Sequence, residues 1–251
     1  MTSMTGVDAL SALNAEQGQD KRNEFTSFKA GTKLFVKVLG TADVAVTYQY
    51  GSFEKGIKSF TAKNPSTKSP TGYPTDNLTS WDKVAKYYAD KSEKFGDENS
   101  QKAYQFRPKQ RFALGFYDLD KGEEIVIDLS KTQARGVMST IERYGERLNG
   151  MAFELEKSGE GLKTQVTLMP VLDLEYDLTE KQNENFKKAP ESFDHSKFEG
   201  LLFESDDADM AKKLVQAGVD LGLLDELGID YRNAVEDTDA PSDDEDAEYG
   251  F

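Results

Sequence analysis

At 251 residues the chain can hold one sizeable domain with appendages, or two small ones. It lacks an uncharged apolar run long enough to span a bilayer, and it lacks the basic-then-apolar start of a secretory signal, so a soluble chain is expected. With no Cys, disulfides, cysteine nucleophiles and thiolate zinc sites are excluded, and a reducing compartment fits. The net charge of −15 hides an uneven distribution. From Asp173 onward there are 24 Asp and Glu against 7 Lys and Arg, a net of −17, which leaves the preceding residues at +2. Residues 53–111 alone hold 12 basic against 7 acidic side chains. A mildly basic body is joined to a strongly acidic end.

Taken in order, residues 1–30 mix Ala, Gln, Asn, Thr and Ser without a sustained period and read as a flexible arm, with Phe25 and Phe28 able to tack its end onto the body. Lys33–Leu39 and Asp43–Tyr50 alternate as strands do, with Gly40–Ala42 between them. Residues 51–107 read as a long insertion. Its first part carries Phe53, Phe60 and Tyr73 among Lys55, Lys58, Lys63 and Lys68, and Pro65, Pro70 and Pro74 forbid long regular structure there. Ser80 is positioned to cap a helix running to about Phe95, stopped by Gly96, after which Tyr104, Phe106 and Arg107 lead into a strand.

Arg111–Tyr117 and Glu124–Leu129 are rich in aromatic and β-branched residues and predict a hairpin closed by Asp118–Gly122. Ser130 then offers a cap oxygen. Ala134, Val137, Met138, Ile141, Tyr144 and Leu148 recur at three- and four-residue steps, predicting an amphipathic helix ended by Asn149-Gly150. Two further strands, Met151–Leu155 and Thr164–Met169, follow. Strand, strand, helix, strand, strand is the back of a five-stranded OB barrel with its capping helix. The expected fold class is therefore mainly β with α, an OB-fold domain over 31–172. Residues 173–232 read as a polar linker and small helical module, and 233–251, with eight acidic and no basic residues, as a disordered acidic tail.

Catalysis finds no support in the pattern. His195 is the only histidine and sits in the polar linker, where a solvated surface role is expected. Asp118 and Asp120 are turn chemistry, and no phosphate-loop, dinucleotide, nucleophile-elbow or zinc-protease motif occurs. The interleaving of aromatic and basic residues says more. Single-stranded nucleic acid is held by cations that follow the phosphates and by ring faces that stack on bases. The candidates for this role are Tyr48, Tyr50, Phe53, Lys55, Lys58, Phe60, Lys63, Tyr104, Phe106, Arg107, Lys109 and Arg111, with Lys83, Lys86 and Tyr87 as a helical wall. Against it stands the bland reading, in which Phe112, Phe116 and, as a further candidate, Phe106 are core and the lysines ordinary solubilising surface.

The run KVLGTADVAVTYQYGSF, the run RPKQRFALGFYDLDKGEEIVIDLS, and the terminal DAPSDDEDAEYGF resemble a bacteriophage-type single-stranded DNA-binding protein. The plan is similar to the helix-destabilising proteins of tailed phages and to bacterial SSB, over roughly residues 25–171. The resemblance implies single-stranded DNA binding in replication, recombination or repair in the cytoplasm of a bacterial host, without a cofactor. The lack of Cys implies a variant without the zinc of some phage relatives, and Gly250 stands before Phe251 where bacterial tips have Pro. The tail residues Asp243, Asp244, Glu245, Asp246, Glu248, Tyr249 and Phe251 are expected to compete for the binding groove and to recruit replication or recombination proteins. Two other classes of function remain open: a recombination mediator or adaptor working mainly through protein contacts, and a protein whose acidic tail mimics DNA.

Overall fold

Ser130 does what its position suggests. Its hydroxyl accepts from the Gln133 N–H while Gln133 reaches back to the Ser130 N–H at 3.0 Å, a reciprocal cap that starts a helix at Lys131. The computed structural model describes residues 23–232 and is mixed α/β, with a large, mostly antiparallel sheet. The described residues divide into two compact units: residues 23–47 with 111–201, and residues 48–110 with 202–232.

The first unit is built on β1 (Lys33–Lys37), the start of β2 (Val44–Ser52), most of β6 (Lys109–Asp118), β7 (Glu123–Ser130), β8 (Ala152–Ser158) and β9 (Gln165–Pro170). Its strands run in the order β7-β6-β1-β8-β9, every pair antiparallel. Period-two alternation gives the sheet two apolar faces. Val36, Leu114, Phe116, Ile125 and Ile127 point to one, where Ala134, Val137 and Ile141 of helix α3 (Lys131–Tyr144) cover them. Phe35, Leu39, Ala113, Tyr117 and Val126 point to the other.

The closed five-stranded barrel expected from the sequence is not what forms. Among the described residues β7 and β9 do not pair, and α3 packs against both instead. Helix α3 follows β7 directly at Ser130, and its Ala134, Val137 and Ile141 join the core on that face of the sheet. The expected polar linker also differs. Residues 174–198 form short helices, α4 (Leu174–Asp177) and α5 (Glu180–Lys188), and bury Leu178 and Phe193 on the second face. Phe193 fits only because residue 115 is Gly: a Cβ there would lie 2.6 Å from its ring. Asp118 and Asp120 are turn residues, as expected. Asp118 accepts from the Asp120 and Lys121 N–H groups at 2.8 and 3.1 Å. His195 is exposed and meets Asp43 at 3.0 Å.

The second unit corrects the domain boundaries. The stretch expected to be an insertion and the stretch expected to be a separate helical module fold into one core. The strands are the end of β2, β3 (Ile57–Ala62) and, parallel to β3, β10 (Phe203–Ser205), with a small ribbon of β4 (Thr67–Lys68) and β5 (Pro74–Asp76). The helices are α1 (Ser80–Asp90), α2 (Glu98–Phe106), α6 (Asp207–Gln216) and α7 (Leu221–Glu226). Tyr50, Phe60, Trp81 and Phe106 form a connected ring cluster with centroids 5.3–6.0 Å apart, closed by Met210, Leu214 and Leu224. The Trp81 indole N–H donates to the Met210 carbonyl at 3.0 Å.

Candidate nucleic-acid interface

The second unit carries a cleft of about 1440 Å³ formed between α1, α2, the turn after β2 and the β5 segment. Its shape follows from local sequence. Helix α1 starts one residue earlier than the Ser80 cap read from the sequence: the Thr79 side chain accepts from the Asp82 N–H. The helix turns Asp82, Ala85, Lys86 and Ala89 toward the cleft, at steps of three and four, and the two alanines leave room there. The helix stops at Asp90, and a second helix follows that the sequence reading did not anticipate, because Glu98–Phe106 shows little apolar periodicity.

Asp97 makes the connection. Its carboxylate accepts from the N–H groups of Ser100, Glu93 and Lys94 and from the Ser92 hydroxyl, at 2.7–3.1 Å. These bonds, the Ser100 N–H first, hold its pKa down at about 2. The turn so fixed leaves the Phe95 ring fully in solvent. At the other end Pro108 ends α2, because the residue before a proline is driven to extended backbone; Arg107 has φ −69° and ψ 151°.

Four aromatic side chains lie on this cleft with their rings largely in water: Phe53 at 98% exposure, Phe95 at 103%, Tyr73 at 58% and Tyr104 at 55%. Arg107 sits with them. Its guanidinium carbon is 4.4 Å from the Tyr104 centroid and 5.9 Å from that of Tyr73, and Lys109 approaches Tyr104 at 5.6 Å. Arg107 and Lys109 have no ion-pair partner among the described residues, whereas Lys86 and Lys102 on the same cleft pair with Asp90 and Glu98 at 2.8 and 2.7 Å.

Of the residues singled out in the sequence, Phe53, Lys86, Tyr104, Arg107 and Lys109 come together here. Others do not. Tyr50, Phe60 and Phe106 are core side chains at 2%, 1% and 4% exposure, and cannot offer a ring face to a base. They were misread because the stretch around them is polar, and the apolar helices that cover them lie over a hundred residues later. Tyr48 has Lys68 over its ring at 4.6 Å and Gly72 against its edge. Tyr87 packs on Tyr88 and takes Lys91 over its ring. Arg111 belongs to the first unit, where it grips Asp128 at 2.7 Å. Lys55, Lys58 and Lys63 are exposed but off the cleft, and Lys83 lines a separate hollow of about 350 Å³. The tail residues Asp243, Asp244, Glu245, Asp246, Glu248, Tyr249 and Phe251 lie outside the described residues.

The sequence reading missed Phe95 and Tyr73 as site residues, although each carried a signal: an aromatic beside a turn residue, in Phe95-Gly96 and Tyr73-Pro74. Behind the cleft lies a buried polar knot. Asp82, 2% exposed, accepts on Oδ2 from the hydroxyls of Tyr50 and Thr79, each at 2.9 Å, and from that of Ser66. Burial first, then the nearby Asp82, pushes the Tyr50 phenol well above its ordinary value. Burial lowers the Lys68 ammonium, and the Asp82 charge partly restores it.

No protein-family model matches the chain, and neither does any curated protein or solved structure. Among the described residues no group of three or more His, Cys, Asp or Glu side chains is placed to hold a metal ion, and no helix is long and apolar enough to cross a membrane.

Proposed function

We propose that this protein binds single-stranded DNA with little sequence requirement, in replication or recombination, and catalyses no reaction. The observation that carries the reading is the set of four solvent-facing rings gathered on one cleft, with two cations among them that have no ion-pair partner among the described residues. Exposed rings are costly in water and stack on bases of any identity, while Arg107 and Lys109 supply charge for phosphate. The strand order of the first unit, β7-β6-β1-β8-β9 with α3 between β7 and β8, supports an OB-type ancestry. It is the order of a five-stranded OB barrel left open at the pair that would close it. The acidic segment 233–251 completes the proposal. It competes with DNA for the cleft and, once displaced, offers Tyr249 and Phe251 to replication partners.

Fluorescence titration of the full chain with oligo-dT, oligo-rU and a duplex of equal length tests the function. Tight, salt-sensitive binding of the single strands and weak binding of the duplex is the expected result; indifference to all three would end the proposal. A chain truncated after Arg232 should bind oligo-dT more tightly at low salt and no differently at high salt, where the tail is screened. The adaptor reading keeps one observation of its own. Met169 of β9, Leu172 just after it and Tyr176 of α4, all in the first unit, are exposed. If they are the working surface, charging them should abolish function in cells while DNA affinity stays unchanged.

A further inference from the structure

Helix α3, in the first unit, distributes its charges unlike the other long helices. Lys86–Asp90 in α1, Glu98–Lys102 in α2, Glu184–Lys188 in α5 and Asp209–Lys213 in α6 each pair opposite charges four residues apart. In α3 the residues at that spacing are Lys131, Arg135, Ser139 and Arg143, and Arg147 follows four further on in the 3-10 turn Gly145–Gly150. All five are exposed, and none of the four cations has an ion-pair partner among the described residues. Like charges four apart repel and weaken a helix. Helices α1, α2, α4, α5 and α6 also carry an acid in the first turn, whereas α3 has none there and opens on Lys131, at the positive end of its dipole. Stability alone does not select this arrangement.

The row is the crest of the helix, because Ala134, Val137 and Ile141 bury the opposite side. From Lys131 to Arg143 it runs about 18 Å, too long for one small anion and suited to a chain of them. Thr132, Gly136 and Thr140 lie beside it and are small. A Cβ at Gly136 would meet only the Val166 carbonyl, at 4.0 Å, so packing does not require glycine there, and its lack of a side chain lets another backbone come close. Glu142 and Glu146 stand on the other flank and pair with neither arginine. Helix α3 supplies none of the exposed large apolar or aromatic side chains, so it offers nothing to a membrane surface or to a stacked base. What it offers is a line of positive charge with hydroxyls beside it, the complement of a phosphate chain.

Resting on the function proposed above, we propose that the crest of α3 is a second binding surface for single-stranded DNA, one that holds the sugar–phosphate backbone and leaves the bases unread. The cleft of the second unit binds through rings and two cations together, whereas α3 binds through charge alone. Such contacts release counterions from the strand, so their signature is the salt dependence of binding.

The test measures poly-dT binding over a range of salt for the full wild-type chain and for the full chain carrying Arg135→Ala, Arg143→Ala and Arg147→Ala. These exposed side chains have no ion pair to lose, so the variant should melt no lower than wild type. The slope of log affinity against log salt should flatten by about 2, at roughly 0.7 for each phosphate on a single strand. Replacing the same three arginines with Lys keeps the charge and should keep the wild-type slope; flattening there too would mean that charge is not what the strand reads, and overturns the inference. An unchanged slope in the Ala variant also overturns it, while leaving single-strand binding in place. A wild-type chain that does not bind poly-dT overturns the function itself. The comparison is repeated with Asp243, Asp244, Glu245, Asp246 and Glu248 neutralised to Asn or Gln in both full chains. Flattening that persists assigns the crest to DNA, as expected; flattening that disappears assigns it to the acidic segment and overturns the inference.

Discussion

Two phenylalanines seven residues apart in sequence should respond to truncation in opposite ways. Phe53 stands on the cleft at 98% exposure, and Phe60 lies in the core of the same unit at 1%. Phe60 packs against Tyr50 at 5.7 Å and Trp81 at 5.3 Å, so Phe60→Ala removes a whole buried ring and leaves a cavity. Such a change costs about 3–5 kcal/mol, enough to lower the melting temperature of a unit this size by well over about ten degrees. Phe53→Ala deletes a ring that touches almost nothing, and its stability should stay within about 0.5 kcal/mol of wild type. Its cost should fall on binding instead, at about 1–3 kcal/mol for one lost stacking platform, or about a 5- to 150-fold weaker Kd. Thermal melts followed by circular dichroism read the first quantity, and oligo-dT anisotropy on folded protein reads the second. The reasoning is refuted if Phe53→Ala melts as early as Phe60→Ala, or if it binds oligo-dT with unchanged affinity at low salt.

Three other expectations follow from single observations. Replacing both Arg107 and Lys109 with Ala should flatten the dependence of log affinity on log salt by about 1.4, twice the roughly 0.7 per phosphate on single strands, while Lys58→Ala with Lys63→Ala should leave the slope unchanged. Gly115→Ala places a methyl group 2.6 Å from the Phe193 ring and should cost about 1–3 kcal/mol in chemical denaturation; a neutral result would mean that Phe193 does not rest there. Asp97, held at about 2 against an ordinary 3.8, contributes stability that is complete above about pH 4 and lost as pH falls through about 2, because the unfolded chain takes up the proton first. Asp97→Asn should therefore melt below wild type at pH 7, and the gap should close near pH 2; a gap that persists there would show that the cap acts without its charge.

Much of the first unit could be read from the sequence because its information is local. Ser130 and Gln133 are three residues apart, the hairpin of β6 and β7 turns at Asp118–Gly122, and the helix period from Ala134 to Leu148 is carried by neighbours. The same holds for the ingredients of the cleft: Phe53, Lys86, Tyr104, Arg107 and Lys109 were visible as aromatic and basic residues in a polar stretch. What the sequence could not decide was which rings face water. Tyr50, Phe60 and Phe106 differ from Phe53 and Tyr104 in nothing local. They are buried because α6 and α7, from residues 207–226, return to cover them, and because β10 adds itself in parallel to β3. Likewise strand, strand, helix, strand and strand occur in the expected order, but the expected barrel does not form, because closure depends on whether β7 meets β9, a matter of packing between distant segments. Period, caps and turns are set by residues within four positions of one another. Burial and edge pairing are set by whichever part of the chain comes back, and only the tertiary structure decides that.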